Sequence, residues 1–367
     1  MRNLKIFLIL IFILFSKSSF SLTKIKWEQI FIQTAESGSK GLETLLIWPD
    51  TPGKHPTVLM THGTSRDKSL IKQQSAMYYY AQAQFFARRG FAVAFVMRHG
   101  FGRSGGGGDL YLTSDCNNPG FLTTTKASIK DLSQALNYLA TLSQFDTTQT
   151  VLVGVSTGGM AITGFTAFPN DNKETKLIAA INFAGGHGSI GNGRICGGES
   201  RLIQLAADLG KTSRVPMLWI YAKNDQYFGP ELAKNMFTAF NAAGGQAKFV
   251  TPEAFGEDGH SYFKGGMDLW ENTVDNFLKE QKIATLSPLL EKEPVGKKDM
   301  PAQLAKRNEK AYQDYLLVAP HKAFAISKSG SFGKSAYQFS KEEAEELALS
   351  NRKKFSNGSP CEIYDSN

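Results

Sequence analysis

The sequence predicts an α/β protein built on a mostly parallel, doubly wound sheet, followed by a small C-terminal α+β appendage. Between residues 25 and 282, short apolar runs that suit buried strands alternate with stretches whose apolar residues recur at helical spacing. A segment with two prolines, one glycine and several charged residues, 284–300, then separates this alternation from a shorter mixed region. Alternating strands and helices imply right-handed βαβ units and a sheet covered by helices on both faces.

The N-terminal 21 residues have the pattern of a secretory signal peptide. Arg2 and Lys5 precede an unbroken apolar run, Ile6–Phe15, and serines flank Phe20 at the expected cleavage site. The run is shorter than the roughly 20 residues that a membrane-spanning helix needs, although an uncleaved anchor stays the alternative. We therefore expect a periplasmic or secreted protein with no stable membrane span after cleavage.

The chain is mildly basic. Its formal net charge of +8 would fall to +5 on cleavage, because Arg2, Lys5 and Lys17 leave with the leader and no acidic residue does. The other basic residues form only small scattered clusters, which are typical of solvated faces, so no nucleic-acid partner is predicted. The sequence leaves the oligomeric state open.

Four units follow along the chain: the signal peptide at 1–21, a main α/β domain at 22–283, a linker at 284–300 and a small α+β domain at 301–367. In the main domain the patterns predict strands at 25–35, 42–48, 55–61, 91–97, 151–155, 177–183, 216–221 and 247–250. They predict helices there at 73–89, 124–143, 159–168, 230–243 and 267–279. In the last unit they predict helices at 301–316 and 340–355 and strands at 321–327, 331–339 and 360–364.

The strand at 151–155 leads into a G-x-S-x-G motif, residues 154–158, with Ser156 at its centre. Strand, tight turn and helix is the context in which this motif forms a nucleophile elbow. Bulky residues at 154 and 158 would collide with the neighbouring strand and helix, and glycine removes those Cβ atoms. The helix N–H groups behind Ser156 face the place where an oxyanion would form. A plain glycine-containing turn between strand and helix, with a solvent-facing serine, is the alternative.

Candidate partners of Ser156 follow the next strands of the sheet. Asp225 comes after the strand at 216–221, and His260 lies in the loop after the strand at 247–250. Reactive groups in such folds come from loops at the carboxyl ends of strands. Asp258 is a rival acid, but it is too close in sequence to His260 for the usual geometry. The chain order serine, aspartate, histidine matches a known nucleophile–acid–base order.

With these residues in that order, the region 25–282 resembles the α/β-hydrolase superfamily, in particular its dienelactone hydrolase-like and esterase branch. The resemblance implies that Ser156 is the nucleophile, Asp225 the acid and His260 the base. Dienelactone hydrolases proper use a cysteine nucleophile, so Ser156 shifts the expectation towards a general serine esterase. Like its relatives, such an enzyme would act on a small-molecule ester without a cofactor.

The same resemblance implies an oxyanion hole of two backbone N–H groups. One belongs to Thr157, the residue after the nucleophile, and Thr64 is the expected second donor, with Ser65 as the alternative. His62, which begins the His-Gly pair of this loop, is expected to hold the loop and not to act as a base. His187 is likewise expected to be structural.

Two glycine-rich segments are open to other interpretations. The loop 98–108 could suggest a phosphate cradle, but no suitable helix start follows it, so nucleotide binding is not favoured. The resemblance to the α/β-hydrolases implies instead that this loop gives structural support to the active-site face. The segment 184–213 interrupts the alternation of strands and helices. It forms either a small cap over Ser156 or a plain surface excursion.

The chain has three cysteines, Cys116, Cys196 and Cys361. The first two lie in glycine-rich insertions expected above the same sheet edge, so they are the favoured disulfide pair, with no disulfide as the alternative. No C-x-x-C or H-E-x-x-H spacing occurs, and no metal site is predicted.

Three functions remain. The first is an exported serine hydrolase that cleaves carboxylic esters through an acyl-enzyme on Ser156. The second is a serine peptidase or amidase on the same fold, ranked lower because no propeller domain or long lid accompanies the three residues. The third is a non-catalytic envelope-binding protein, against which the complete set of Ser156, Asp225 and His260 argues.

Overall fold

The computed structural model describes residues 25–107, 115–168, 172–292, 296–297, 299–318, 320–353 and 360–367. The predicted signal peptide and the last glycine of the loop 98–108 lie outside these residues. Within the described ranges, no helix is both long and apolar enough to cross a membrane.

Eight strands form one sheet in the order β1-β2-β4-β3-β5-β6-β7-β8. Their bounds are β1 Ile25–Thr34, β2 Gly38–Pro49, β3 His55–Thr61, β4 Ala92–Val96, β5 Phe145–Val155, β6 Leu177–Phe183, β7 Met217–Ile220 and β8 Ala247–Val250. The hairpin β1–β2 and the pair β2–β4 are antiparallel, whereas every pair from β4 to β8 is parallel. The carboxyl ends of the parallel strands therefore share one edge, as the predicted fold class requires.

Helices cover both faces of this sheet. Their bounds are α1 Tyr80–Ala87, α2 Phe121–Leu139, α3 Thr157–Ala167, α4 Glu199–Gly210, α5 Pro230–Ala242, α6 Tyr262–Gly265 and α7 Met267–Glu280. Because successive strand residues point to opposite faces, β5 contributes to two cores. Val151 and Val153 pack into one apolar layer and Leu152 into the other, and all three are fully buried.

Several predicted bounds were wrong. The region predicted as a helix at 73–89 forms a 3₁₀ turn at 76–79, which Ser75 caps, and then the shorter α1. A further 3₁₀ turn at 68–73 precedes this region. The elbow strand begins six residues earlier than expected, at Phe145, where it pairs with the start of β3. The excursion 184–213 contains α4, which packs beside α5.

The C-terminal region forms a separate three-stranded antiparallel sheet in the order β10-β9-β11. Its strands are β9 Ala323–Ser327, β10 Phe332–Ser335 and β11 Cys361–Ser366, and its helices are α8 Glu309–Leu316 and α9 Lys341–Lys353. Alternate residues of β9 face α8 and α9, so the two helices cover opposite faces of this sheet. The predicted helix at 301–316 is limited to α8 and a preceding 3₁₀ turn.

The C-terminal region contacts the hairpin edge of the large sheet. The ring of Trp27 meets His321 edge-on, with centroids 5.2 Å apart. Arg103 lies over the ring of Phe339, 3.2 Å from its centroid, and forms an ion pair with Glu343. These contacts lie on the β1–β2 side of the sheet and involve none of the residues expected to be catalytic.

Candidate active site

Ser156 occupies the sharp turn between β5 and α3. Its backbone has φ 56° and ψ −125°, a sparsely populated conformation that a non-glycine residue adopts only under constraint from its surroundings. A Cβ at Gly154 would lie 2.2 Å from the carbonyl oxygen of Gly158, and one at Gly158 would lie 2.4 Å from that of His62. The steric reason predicted for both glycines is confirmed.

Backbone hydrogen bonds hold this turn in place. The N–H of Ser156 donates to the carbonyl of Phe183 at 2.9 Å, and the N–H of Gly186 donates to the carbonyl of Ser156 at 3.1 Å. Thr157 is the first residue of α3, so its N–H has no partner four residues back within the helix. The elbow is thereby fixed to the end of β6, while the helix start lies directly behind the serine.

Asp225 and His260 lie together on the loops after β7 and β8. Nδ1 of His260 lies 3.0 Å from Oδ2 of Asp225 and 3.2 Å from its Oδ1. An ionised carboxylate only accepts hydrogen bonds, so Nδ1 carries the proton and the neutral ring keeps its lone pair at Nε2. The Asp225 side chain is fully buried, and that of His260 is 14% exposed. The geometry is that of a base oriented by a carboxylate.

Asp258, the rival acid, has a different function in the structure. Its Oδ1 accepts the backbone N–H of His260 at 2.9 Å and that of Gln226 at 3.0 Å. It therefore joins the two loops through their backbones, while the imidazole faces Asp225. The sequence-based preference for Asp225 agrees with this arrangement, although the catalytic assignment itself stays a prediction.

Two aromatic side chains contact His260, and an arginine covers one of them. The ring of Tyr227 stacks on the imidazole, with centroids 3.9 Å apart and planes 10° apart. Phe228 meets the imidazole edge-on at 5.6 Å, and Arg66 lies over Tyr227, 3.8 Å from its centroid. We call residues 224–228 and 256–260 the acid–base wall.

A cavity of about 320 Å³ opens beside Ser156. It brings the nucleophile candidate together with both expected oxyanion residues, Thr64 and Thr157. Tyr227 and Phe228 connect it to His260, since both rings line the cavity and contact the imidazole. The other lining residues are Ser65, Arg66, Lys68, Phe121, Thr124, His187, Gly188, Ser189 and Ile190.

The floor of the cavity is held by a buried arginine. Arg98 donates to the carbonyl of His62 at 2.9 Å and to Oγ1 of Thr157 at 3.0 Å. Oγ1 of Thr157 lies 2.8 Å from Oγ1 of Thr64, so the two expected oxyanion residues are linked through their side chains. The loop 98–108 thus supports the active-site face through Arg98.

His62 is fully buried and accepts the backbone N–H of Arg98 at Nε2, 3.0 Å away. Burial and the nearby Arg98 guanidinium lower the pKa of His62 well below its usual value. A neutral, enclosed ring of this kind holds the loop, as the sequence predicted.

Phe121 and residues 187–190 also line the cavity, and we call the two segments that contain them, 116–121 and 187–196, the disulfide wall. The predicted disulfide between Cys116 and Cys196 is confirmed; it joins residues 80 apart in sequence. His187 is buried here, stacks on Phe121 and donates from Nε2 to Oγ1 of Thr125 at 3.0 Å, because that hydroxyl donates to the carbonyl of Phe121. Burial, followed by the charge of Arg98, lowers the pKa of His187 to about 3.

The sequence did not single out Tyr227, Phe228 or Arg66. The first two form an aromatic pair directly after the Asp225 loop begins, and such a pair could have been noticed as a ring platform. No sequence pattern pointed to Arg66, because its contact with Tyr227 depends on the path of the loop that follows β3.

Comparison with known proteins identifies the fold. No family model matches the chain, and no curated protein matches its sequence. Among solved structures, an acylaminoacyl peptidase from Pyrococcus horikoshii is 15% identical with a TM-score of 0.50, and the match covers 73% of this chain and 44% of that one. A protein assigned as a dienelactone hydrolase from Klebsiella pneumoniae is 15% identical with a TM-score of 0.49, covering 71% of this chain and 99% of that one. An esterase from Pyrococcus furiosus is 16% identical with a TM-score of 0.46, covering 70% of this chain and 90% of that one.

The similarity to the Pyrococcus horikoshii structure, together with the strand order and the elbow between β5 and α3, shows that the described part of the region 25–282 has the α/β-hydrolase fold. The predicted fold class is confirmed, and the small antiparallel sheet corresponds to the predicted C-terminal appendage.

Proposed function

We propose that this protein is a serine hydrolase that cleaves carboxylic esters through an acyl-enzyme on Ser156. The observation that carries the proposal is the common position of three groups at one edge of the sheet. Ser156 occupies a constrained elbow after β5, Asp225 follows β7, and His260 follows β8 with its Nδ1 on the carboxylate. A constrained nucleophile and an oriented base at the carboxyl ends of parallel strands match the acyl-transfer template.

In the first half of the reaction, Nε2 of His260 takes the proton of Ser156 as its Oγ attacks the ester carbonyl carbon. Asp225 holds the imidazole in the tautomer with Nδ1 protonated and stabilises the imidazolium that forms. The oxyanion lies at the start of α3, where the N–H groups of Thr157 and Thr64 donate to it. His260 then gives its proton to the leaving alkoxide, and the acyl group stays on Ser156.

In the second half, a water molecule takes the place of the alcohol. His260 removes its proton as the water oxygen attacks the acyl carbonyl, and returns that proton to Oγ of Ser156 as the acid leaves. The partly exposed edge of His260 suits this step, because the base must reach solvent, whereas Asp225 is fully buried and only orients the imidazole.

The experiment compares the wild-type protein with Ser156→Ala, both checked for folding by circular dichroism. The substrates are p-nitrophenyl esters of short and medium acyl chains and the matching p-nitroanilides, and labelling by a fluorophosphonate is measured in parallel. Ester hydrolysis and labelling that disappear in Ser156→Ala support the proposal. Hydrolysis that survives the substitution excludes Ser156 as nucleophile, and faster cleavage of anilides than esters points to an amidase.

Export stays a proposal of its own. The disulfide between Cys116 and Cys196 supports it, because disulfides persist in oxidising compartments such as the periplasm and the extracellular space. N-terminal sequencing of protein recovered from the native host is expected to begin near Leu22. A retained Met1 would contradict cleavage of the leader.

A further inference from the structure

The mechanism above leaves the stack on His260 without a function. Tyr227 covers one face of the imidazole at 3.9 Å, and Arg66 lies 3.8 Å from the centroid of the same tyrosine ring. Two planar groups cannot both approach one face of a ring this closely, so Arg66 and His260 lie on opposite faces of Tyr227. The result is a three-layered stack that runs from the loop after β3 to the base.

This stack supplies a restraint that Asp225 alone does not. A hydrogen bond at Nδ1 fixes one corner of the imidazole but leaves the plane of the ring free to tilt about that contact. The parallel ring of Tyr227 fixes the plane, and Phe228, edge-on at an interplanar angle of 62°, limits motion on another side. The direction in which Nε2 points is therefore set by the aromatic pair together with the carboxylate.

Tyr227 is itself fixed by the same carboxylate. Its backbone N–H donates to Oδ1 of Asp225 at 2.7 Å, and the N–H of Phe228 donates to that oxygen at 2.9 Å. The side chain, however, lines the cavity and has its second face covered by Arg66. Arg66 follows Thr64 and Ser65 in the loop expected to carry an oxyanion donor, so the stack joins that loop to the base.

We propose that Tyr227 is a positioning residue for His260 and that Arg66 acts through Tyr227 by holding its ring in the stacked pose. This inference rests on the proposed function. It predicts that loss of the tyrosine ring lowers kcat, while substrate binding is affected less. It also predicts that Arg66 matters only while an aromatic ring is present at 227.

The kinetic test uses Tyr227→Leu with Tyr227→Phe as the matched control. Tyr227→Leu is expected to lower kcat by about 10- to 100-fold, since small misplacements of a catalytic group cost this much, with KM changed far less. Tyr227→Phe keeps the stack and is expected to retain most of kcat. Equal kcat values in wild type and Tyr227→Leu would overturn the proposal, as would a Tyr227→Phe variant as impaired as Tyr227→Leu.

The role of Arg66 is tested in a double-mutant cycle. Arg66→Ala is expected to lower kcat by a few-fold in the wild type and to have no further effect in Tyr227→Leu, because coupled residues are not additive. Additive effects that appear mainly in KM would instead mean that Arg66 contacts the substrate directly. That outcome would overturn its assignment as a holder of Tyr227.

A measurement independent of activity separates this inference from the proposed function. Protein labelled with ¹³C at histidine Cε1 gives one signal for each of six histidines, and His260→Gln identifies the signal of His260. The Tyr227 ring is expected to move this signal upfield, and Tyr227→Leu to remove that shift while Tyr227→Phe preserves it. An unchanged signal in Tyr227→Leu overturns the stack, whereas inactivity of the wild type with the stack intact would contradict only the proposed esterase.

Discussion

The two walls of the cavity place a histidine in opposite environments. On the acid–base wall, the His260 side chain is 14% exposed and its Nδ1 faces a fully buried carboxylate. On the disulfide wall, His187 is buried, faces the hydroxyl of Thr125 and has its pKa lowered to about 3 by burial and the charge of Arg98. A ring that must exchange protons needs a charge partner and a path to solvent, and only the first wall provides both.

The comparison indicates that the acid–base wall supplies the reactive groups, whereas the disulfide wall maintains the shape of the cavity. The acid–base wall carries groups that can hold or move a proton, and backbone contacts from Asp258 tie its two loops together. The disulfide wall is closed by a covalent link and by stacking of Phe121 on His187, neither of which takes part in proton transfer. Substitutions on the first wall should therefore change kcat, and those on the second should change stability and KM.

The largest effect is expected for the buried carboxylate. Asp225→Asn keeps an oxygen that can accept the N–H groups of Tyr227 and Phe228 but no longer fixes the His260 tautomer, so kcat is expected to fall about 10³- to 10⁴-fold. Asp258→Asn is the matched control and is expected to change kcat by less than about tenfold, because its oxygen accepts only backbone N–H groups. Steady-state kinetics on an active ester measures both, and equal losses would contradict the assignment of Asp225.

Removal of the disulfide tests the other wall. Cys116→Ala combined with Cys196→Ala is expected to lower the free energy of unfolding by about 2–5 kcal/mol, because the bond closes a long loop. KM is expected to rise more than kcat falls, since the link joins the two segments that shape the cavity. Urea unfolding and ester kinetics measure these effects. Cys361→Ala, in the distant β11, is the control, and a loss in kcat alone would contradict the division between the walls.

The pH dependence of stability follows from His187. Its pKa of about 3 in the folded protein lies below the ordinary value of 6.5, so the unfolded chain binds an additional proton between these two values. The stabilising contribution of neutral His187 is therefore present above pH 6.5 and is lost as the pH falls towards 3. The free energy of unfolding is expected to fall by about 2 kcal/mol between pH 7 and pH 5 for this reason.

His187→Gln is the variant for this test, since glutamine can still donate to Thr125 but does not titrate. Unfolding in urea at pH 7 and pH 5 is expected to show a smaller loss of stability in His187→Gln than in the wild type. Part of the dependence should remain, because His62 is also buried with a lowered pKa. Identical losses in both proteins would contradict the assignment of this pH dependence to His187.

The sequence predicted the fold well where local pattern and burial agree. The strands at 55–61, 177–183 and 247–250 have the predicted bounds, because apolar runs between polar breaks define a strand without reference to its neighbours. The helix α4 was missed, since the glycines that precede it resemble a loop and its polar face diluted the apolar pattern. The start predicted for the helix at 73–89 was wrong, because Ser75 caps a 3₁₀ turn there and α1 begins only after that turn.

The candidate site also contains residues that local sequence patterns predicted and residues that they did not. Ser156, Asp225 and His260 could be named because each follows a recognisable strand and their order is diagnostic. The stack of Arg66 on Tyr227 could not, since it joins loops that follow β3 and β7 and depends on how both loops fold. Sequence patterns therefore identified the groups that are proposed to react, while the contacts that orient them required the structure.

The smallest effect is expected on the floor between the walls. Thr64→Ala removes the hydroxyl that lies 2.8 Å from Oγ1 of Thr157, yet leaves the backbone N–H that is expected to bind the oxyanion. The value of kcat is therefore expected to fall by less than about tenfold, well below the 10²- to 10³-fold loss that follows removal of an oxyanion donor. Thr64→Ser keeps the hydroxyl and is the matched control. A loss of the larger size in Thr64→Ala, restored in Thr64→Ser, would show that the hydroxyl itself stabilises the oxyanion, because Arg98 continues to hold Thr157 in both variants.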